Sequence, residues 1–334
     1  MSDTLTHEPQ ARTAKDWASE MEVRWCPGCG DYAILKAVLE TVAKLGLDPD
    51  RTAFISGIGC SSRFPYYVAS YGFHTIHGRA ATIATGAKLA NPALDIWIVS
   101  GDGDSLSIGG NHLIHLARRN LDVVYLLFNN QIYGLTKGQA SPTTRLGQVT
   151  PSTPDGSIDP PAHFGSLVLG AGATFYARVA DVARKQVGDV LEAAHNHKGT
   201  GFVEILQNCI VYNDGAFAEV TGKATAAERQ LWCEPGQPLL YAGGTKGLRF
   251  DPASFDLVPF TIGEDGRSEA DAVVHDPTNR RLAQMLVARD DVLAMGVVFQ
   301  VDAPTLDGLH HARRPARRDD LQALLDGRET WVVG

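Results

Sequence analysis

The chain has 334 residues, 44% of them hydrophobic, and a formal net charge of -8 at pH 7. That length buries a substantial core and suits one large domain, or one domain with an appended part. The acidic balance argues against broad nucleic-acid binding, which favours a basic stripe able to displace counterions from phosphates. No apolar run reaches the roughly 18 residues that a membrane span needs. The opening residues MSDTLTHEPQARTAKDW lack the basic-then-apolar order of a secretory signal, so a cytoplasmic location without membrane attachment is expected.

Residues 1–20 read as an N-terminal arm. After Gly30, DYAILKAVLETVAKLG places Ile34, Val38, Val42 and Leu45 on one helical stripe, with Asp31 as N-cap and Gly46 as stop. TAFISGI then reads as a buried strand ending in Gly59-Cys60-Ser61-Ser62, and RAATIATGAKLA as a helix of small residues halted before Asn91-Pro92. LDIWIVS is a near-continuous apolar strand, followed by the turn Gly101-Asp102-Gly103-Asp104, a helix through SIGGNHLIHLARR and a second apolar strand, VVYLLF.

A Pro- and Thr-rich loop at about 136–161 leads to a strand in ATFYARV, a helix in DVARKQVGDVLEAAHN and a strand in GFVEIL. Alternation of this kind predicts an α/β fold with a doubly wound, mostly parallel sheet over residues 21–215. From residue 216 to 334 the pattern weakens. Gly and Pro punctuate it, leaving one helical stretch, NRRLAQMLVAR, and one strand-like run, LAMGVVFQV, in an extension expected to pack on the domain or on a partner. The basic cluster Arg313, Arg314, Arg317 and Arg318 lies beside Asp319 and Asp320, as either a solvated helix end or a docking patch for an acidic partner.

In open parallel sheets ligands bind outside the carboxyl ends of strands, so Gly101-Asp102-Gly103 after one strand and Asn129-Asn130 after the next should face one crevice. Asp102 supplies a carboxylate oxygen and Asn130 an amide oxygen, which suit magnesium, a cation that keeps few protein ligands and takes the rest from phosphates or water. The glycines admit a bulky anion, and the free N–H groups of the following helix favour negative charge there. Taken singly, GDG is an ordinary turn and Asn-Asn an ordinary strand terminator. Together they share a spacing of about 25 residues, enough for a crossover helix and a return strand, and similar to the thiamine diphosphate signature.

Five cysteines are too few and too unevenly placed for a secreted disulfide scaffold. Cys26 and Cys29 form a CxxC pair in front of a helix whose N-terminus should lower the thiol pKa. Cys60 and Cys209 each follow a predicted strand and complete a four-thiolate set if the fold gathers them. Four thiolates suit a structural zinc and an iron-sulfur cluster equally, and a dithiol pair with two unrelated buried cysteines is a third reading.

Read outward, WCPGCGDYAIL, GIGCSSR, HTIHGRA, GAKLANP, GDGDSLSIGGNHLIHLARRN, NNQIYGLTKGQASPTT and FVEILQNC together resemble the β subunits of 2-oxoacid:ferredoxin oxidoreductases, over roughly residues 20–215. The resemblance implies a thiamine-diphosphate-binding α/β fold, with Mg2+ held by Asp102, Asn130 and the backbone carbonyl of Ile132. It places Gly101, Gly103, Asp104, Gly134 and Leu135 with the cofactor, and Gly59, Ser61 and His77 in the same pocket; His77 reads equally as a core histidine satisfied by backbone.

It further implies one [4Fe-4S] cluster on Cys26, Cys29, Cys60 and Cys209, with Cys233 a spectator, and an α subunit that completes the thiamine site in an (αβ)2 assembly. The activity implied is coenzyme A-dependent oxidative decarboxylation of a 2-oxoacid, with electrons passed through the cluster to ferredoxin. The length of the tail favours 2-oxoglutarate over pyruvate. The rival reading is a non-redox thiamine decarboxylase with structural zinc. No side chain takes a firm proton-transfer role, and Lys137 is either a substrate or coenzyme A contact or a plain loop lysine.

Overall fold

A computed structural model describes residues 12–313 of the chain. Arg313 closes the last described helix, and Arg314, Arg317, Arg318, Asp319 and Asp320 lie outside the described residues.

The first half runs α1 (Asp31–Lys44), β1 (Thr52–Ser56), β2 (Tyr71–His74), α2 (Ala80–Ala90), β3 (Asp95–Gly101), α3 (Asp102–Leu106), α4 (Gly110–Arg119) and β4 (Val123–Asn129). It continues through α5 (Phe164–Gly170), β5 (Phe175–Ala180), α6 (Arg184–Asn196) and β6 (Thr200–Leu206). The tail adds α7 (Ala218–Thr221), α8 (Ala226–Arg229), β7 (Gln230–Cys233), β8 (Leu240–Tyr241), β9 (Lys246–Asp251), β10 (Asp256–Thr261), α9 (Arg280–Val287), β11 (Leu293–Gln300) and α10 (Leu306–Arg313).

Eight strands form one sheet in the order β2-β1-β3-β4-β6-β5-β11-β7. The six strands β1 to β6 pair in parallel, and β11 runs antiparallel to β5. Central strands read as unbroken apolar runs because helices cover both faces. In β3, Ile96 and Ile98 pack into one core layer while Trp97 and Val99 pack into the other; β4 divides Tyr125 and Leu127 from Leu126 and Phe128 in the same way. The layer containing Ile34 and Val38 of α1 and Val187 and Leu191 of α6 covers one face. The layer with Ala84 of α2, Leu116 of α4, Val168 of α5 and Leu286 of α9 covers the other. The small residues of α2 let it lie close to the sheet.

Three sequence expectations change in detail. Asp31 does not cap α1: Gly30 is the N-cap, and Asp31 is the first helical residue, buried with both carboxylate oxygens unpartnered. The turn expected at Gly101-Asp102-Gly103-Asp104 is instead a short helix, α3, that ends where Ser107 leaves helical geometry, and the helix expected through SIGGNHLIHLARR begins only at Gly110. The break has a steric cause. A Cβ on Gly109 would stand 2.4 Å from the Asp104 carbonyl oxygen, and one on Gly78 would stand 2.5 Å from Gly109 N, so the chain turns where two glycines meet.

The tail also holds more strands than its single strand-like run. β7 and β11 extend the main sheet, and β8, β9 and β10 make a separate antiparallel sheet. The segment before α1 is tied down as well. Trp17 is fully buried beside the layer holding Trp25, Phe64 and Tyr67, and its carbonyl accepts from Ala69 N at 2.8 Å.

Emptying the Trp17 site should cost about 3–5 kcal/mol, the usual range for removing a buried aromatic side chain. Denaturant unfolding of Trp17→Ala against the exposed control Lys15→Ala measures it, and equal midpoints would show that the arm contributes no core.

Candidate cofactor site and thiol group

Parallel pairing sets the site. Gly101 of β3 pairs with Phe128 of β4, and Asn129 of β4 with Leu206 of β6, so Asp102, Asn130 and Gln207 leave neighbouring strand tips together. One cleft at this edge is lined by Gly59, Ser61, His77, Gly101, Asp102, Gly103, Asp104, Asn130, Ile132, Gly134 and Leu135. Every residue singled out for cofactor binding is thus brought to a single place. Ile58, Cys60, Tyr133 and Thr136 line it too, and the sequence carried no separate signal for three of these. Lys137 is exposed, in a left-handed conformation, one residue past the cleft wall.

The Asp102 carboxylate is buried, and its Oδ2 accepts from the hydroxyls of Ser141 at 2.5 Å and Thr143 at 2.6 Å. Burial pushes its carboxyl pKa up to about 6, against the pull of those two bonds. Asn130 is turned by its neighbours: Nδ2 donates to Gln207 Oε1 at 2.8 Å, while Oδ1 accepts from Ile132 N at 3.2 Å and keeps a second lone pair. Ser141, Thr143 and Gln207 were not foreseen. Ser141 and Thr143 left a trace only as part of the SPTT run, and Gln207 only as part of FVEILQNC.

Asp104 does something different from Asp102. Its Oδ1 accepts from Gly78 N at 2.7 Å and Ile58 N at 3.1 Å, and its Oδ2 from Ser100 Oγ at 2.5 Å. The side chain therefore joins the loops after β1 and β2 to the end of β3. A Cβ on Gly57 would sit 1.8 Å from Asp104 Oδ2, so no larger residue fits there. His77 has its Nδ1 3.1 Å from Asp104 Oδ1 and its side chain 38% exposed on the cleft wall, so it is not a core histidine satisfied by backbone.

The four motif cysteines converge beside the same edge. The CPGC turn closes with Cys29 N donating to the Cys26 carbonyl at 3.0 Å around Gly28, whose φ is +84°. Trp25 Nε1 donates to the Cys60 carbonyl at 2.7 Å, and Gln207 Nε2 reaches Cys29 Sγ at 3.3 Å. A Cβ on Gly134 would lie 3.4 Å from Cys60 Sγ and 3.5 Å from Cys209 Sγ, so those sulfurs share one side of the loop. Cys233 is buried in the other core layer, away from this group.

The helix N-terminus does not lower the Cys29 thiol pKa. Burial, with Asp31 next to it, raises it well above the ordinary range, and burial first and Asp31 second push Cys60 up to about 12. Reactive dithiol pairs need the opposite shift. Among the described residues no three His, Cys, Asp or Glu side chains close on a single ion.

Residues 57–205 match the family model for the thiamine pyrophosphate enzyme C-terminal TPP binding domain. The 2-oxoglutarate oxidoreductase subunit KorB of Mycobacterium tuberculosis is 46% identical over 98% of this chain and 90% of its own length. The chain belongs to the β subunits of the 2-oxoacid:ferredoxin oxidoreductases. It is thus a subunit of an oxidoreductase.

Another family member, 2-oxoacid:ferredoxin oxidoreductase 1 subunit beta of Aeropyrum pernix, is 46% identical over 63% of this chain and 66% of its own length. A solved 2-oxoglutarate:ferredoxin oxidoreductase from Magnetococcus marinus superposes with a TM-score of 0.73 at 33% identity, over 97% of this chain and 94% of that one. Its structure holds 2-oxoglutarate, coenzyme A and succinyl-CoA. Among the described residues no helix is long and apolar enough to cross a membrane.

Gly103 sits against the Tyr133 ring, with an added Cβ only 2.2 Å from a ring carbon. Gly103→Ala should lower stability by about 1–3 kcal/mol through overpacking, measured by thermal unfolding against Gly110→Ala, where nothing lies within 4 Å.

Proposed function

We propose that the chain binds thiamine diphosphate through Mg2+ and serves coenzyme A-dependent oxidative decarboxylation of 2-oxoglutarate to succinyl-CoA and CO2, with electrons leaving through a [4Fe-4S] cluster to ferredoxin. The observation that carries this reading is the single cleft into which both strand-tip motifs and Cys60 open.

The residues present fit the absent groups. Asp102 has both hydroxyl bonds on Oδ2, so Oδ1 is the oxygen for a cation, joined by Asn130 Oδ1 and the Ile132 carbonyl. These are the hard oxygen donors that Mg2+ prefers. Gly101 keeps the backbone bare beside them for a diphosphate, Gly103 makes room for the Tyr133 ring, and His77 and Ser61 line the wall. When bound, thiamine diphosphate supplies the carbon nucleophile and electron sink for decarboxylation.

Cys26, Cys29, Cys60 and Cys209 would hold the cluster. The burial-raised thiols of Cys29, Cys60 and Cys209 favour a site in which a cationic metal centre stabilises the thiolates. Cys60, on the wall of the cleft, gives the electrons a short path. Ferredoxin as acceptor, an α subunit completing the cleft in an (αβ)2 assembly, and a cytoplasmic setting suited to five free cysteines belong to the same reading. So does Lys137 at the mouth as a contact for substrate or coenzyme A.

The choice of 2-oxoglutarate is supported by the names of the relatives that match along nearly the whole chain, tail included. Copurified with its partner subunit, the enzyme should reduce a low-potential dye with coenzyme A and 2-oxoglutarate at a kcat/KM at least about tenfold above that with pyruvate. Equal rates would make it a broad 2-oxoacid enzyme. Decarboxylation without dye reduction, in protein free of iron and sulfide, would sink the redox reading.

Asp102 must lose its proton to ligate, so metal affinity should be constant above about pH 6 and fall as pH drops below it, toward about tenfold per unit. Calorimetric titration of Mg2+ with thiamine diphosphate across pH 5–8 tests this, with Asp102→Ala expected to abolish binding.

A further inference from the structure

Three polar side chains from adjacent central strands line up behind the cleft without entering it. Arg178 of β5 pairs directly with Glu204 of β6, and Arg178 Nε donates to Glu204 Oε2 at 2.8 Å. The Tyr176 hydroxyl donates to the same oxygen. On the other side Asn129 Nδ2, at the tip of β4, donates to Glu204 Oε1 at 2.7 Å. Thr143 Oγ1 lies 3.0 Å from Asn129 Oδ1 and 2.6 Å from Asp102 Oδ2. A line of polar contacts therefore runs from a guanidinium in the sheet to the carboxylate at the cleft, with the single Thr143 proton shared between Asn129 Oδ1 and Asp102 Oδ2, and all six residues are buried.

A buried ion pair is a poor source of stability, because desolvation cancels most of the attraction. Glu204 and Arg178 occupy sheet positions whose neighbours Phe202, Val203 and Ile205 are apolar, so what the pair contributes must be sought in its geometry. The loop that carries Ser141 and Thr143 has no helix or strand between Asn130 and His163 to fix it. Its Thr143 hydroxyl has one proton and two acceptors, and the second acceptor is held in place from the sheet. Glu204 can take only the Nδ2 end of Asn129, which turns Oδ1 toward Thr143.

We propose that Glu204, braced by Arg178, is a positioning residue for the metal's carboxylate ligand: through Asn129 and Thr143 it pins Asp102 Oδ2 and leaves Oδ1 aimed into the cleft. The inference rests on the reading of Asp102 as a ligand. Partners of this kind behind a ligating carboxylate typically change metal affinity 10–100-fold when removed.

The test is the dissociation constant of Mn2+, read by its paramagnetic resonance signal, in the complex of this chain with its partner subunit and thiamine diphosphate. Asn129→Ala breaks the line while leaving Arg178 on Glu204 Oε2, at the cost of the donor on Glu204 Oε1. Glu204→Gln tests the anchor itself, and Glu204→Gln with Arg178→Met removes the pair without stranding a charge. All three should weaken Mn2+ by about tenfold or more, with turnover recovering at saturating metal, which a misfolded variant would not show.

If Asp102→Asn abolishes Mn2+ binding while Asn129→Ala binds within about twofold of wild type, the positioning role is wrong and the ligand reading stands. If Asp102→Asn binds as tightly as wild type, both are overturned.

Discussion

One buried carboxylate holds the cleft together. Asp104 lies at 2% exposure, and an acid so placed has to find donors, because burying an unpaired charge costs far more than any contact returns. It finds them on three separate pieces of chain: the amides of Ile58 and Gly78, and the hydroxyl of Ser100. The loops leaving β1 and β2 are thereby drawn onto the end of β3. Gly57 is squeezed by the same carboxylate, and Gly78 by Gly109. The break between α3 and α4 follows from this convergence, since a continuous helix would drive backbone through the Gly78–Gly109 contact.

Around that knot the chain keeps acids and thiols where their charged forms are disfavoured. Asp102 and Asp31 are raised by burial to about 6 and about 7, and the thiols of Cys29, Cys60 and Cys209 are raised as well. Groups so arranged gain from a nearby cation in a way that solvated groups do not. Under the proposed function the two metal centres would relieve these two sets of unfavourable ionisations, each beside the other at one sheet edge.

How much of this was legible depends on how local the determining interaction is. The apolar runs of β3 and β4 and the striping of α1 announced the sheet and one of its covering helices, because burial on both faces or on one writes itself into periodicity. The strand-tip motifs could be paired because a parallel sheet sends successive strands to the same edge. The thiol pKa, by contrast, was read with the wrong sign: helix position is visible in sequence, but the burial of Cys29 and the approach of Asp31 are not. Ser141, Thr143, Gln207 and the Arg178–Glu204 pair were hidden for a related reason. They act across the sheet or from a loop with no period, so nothing in their own surroundings marks them. β7 to β10 were missed because Gly and Pro punctuation in CEPGQPLL and FDPASFDLVPF looks the same in short antiparallel strands as in coil.

Gly134 borders the cleft, and its absent side chain is what the sulfurs of Cys60 and Cys209 face. Two donor sets, one of oxygens and one of sulfurs, meet at a bare peptide. A methyl on this partition would come into contact with both sulfurs and leave no room for anything larger, whereas a longer loop would loosen Asn130 and Thr143. The spacing between the compartments is therefore free to change only if several distant positions change at once, and such a wall should drift more slowly than the pockets on either side.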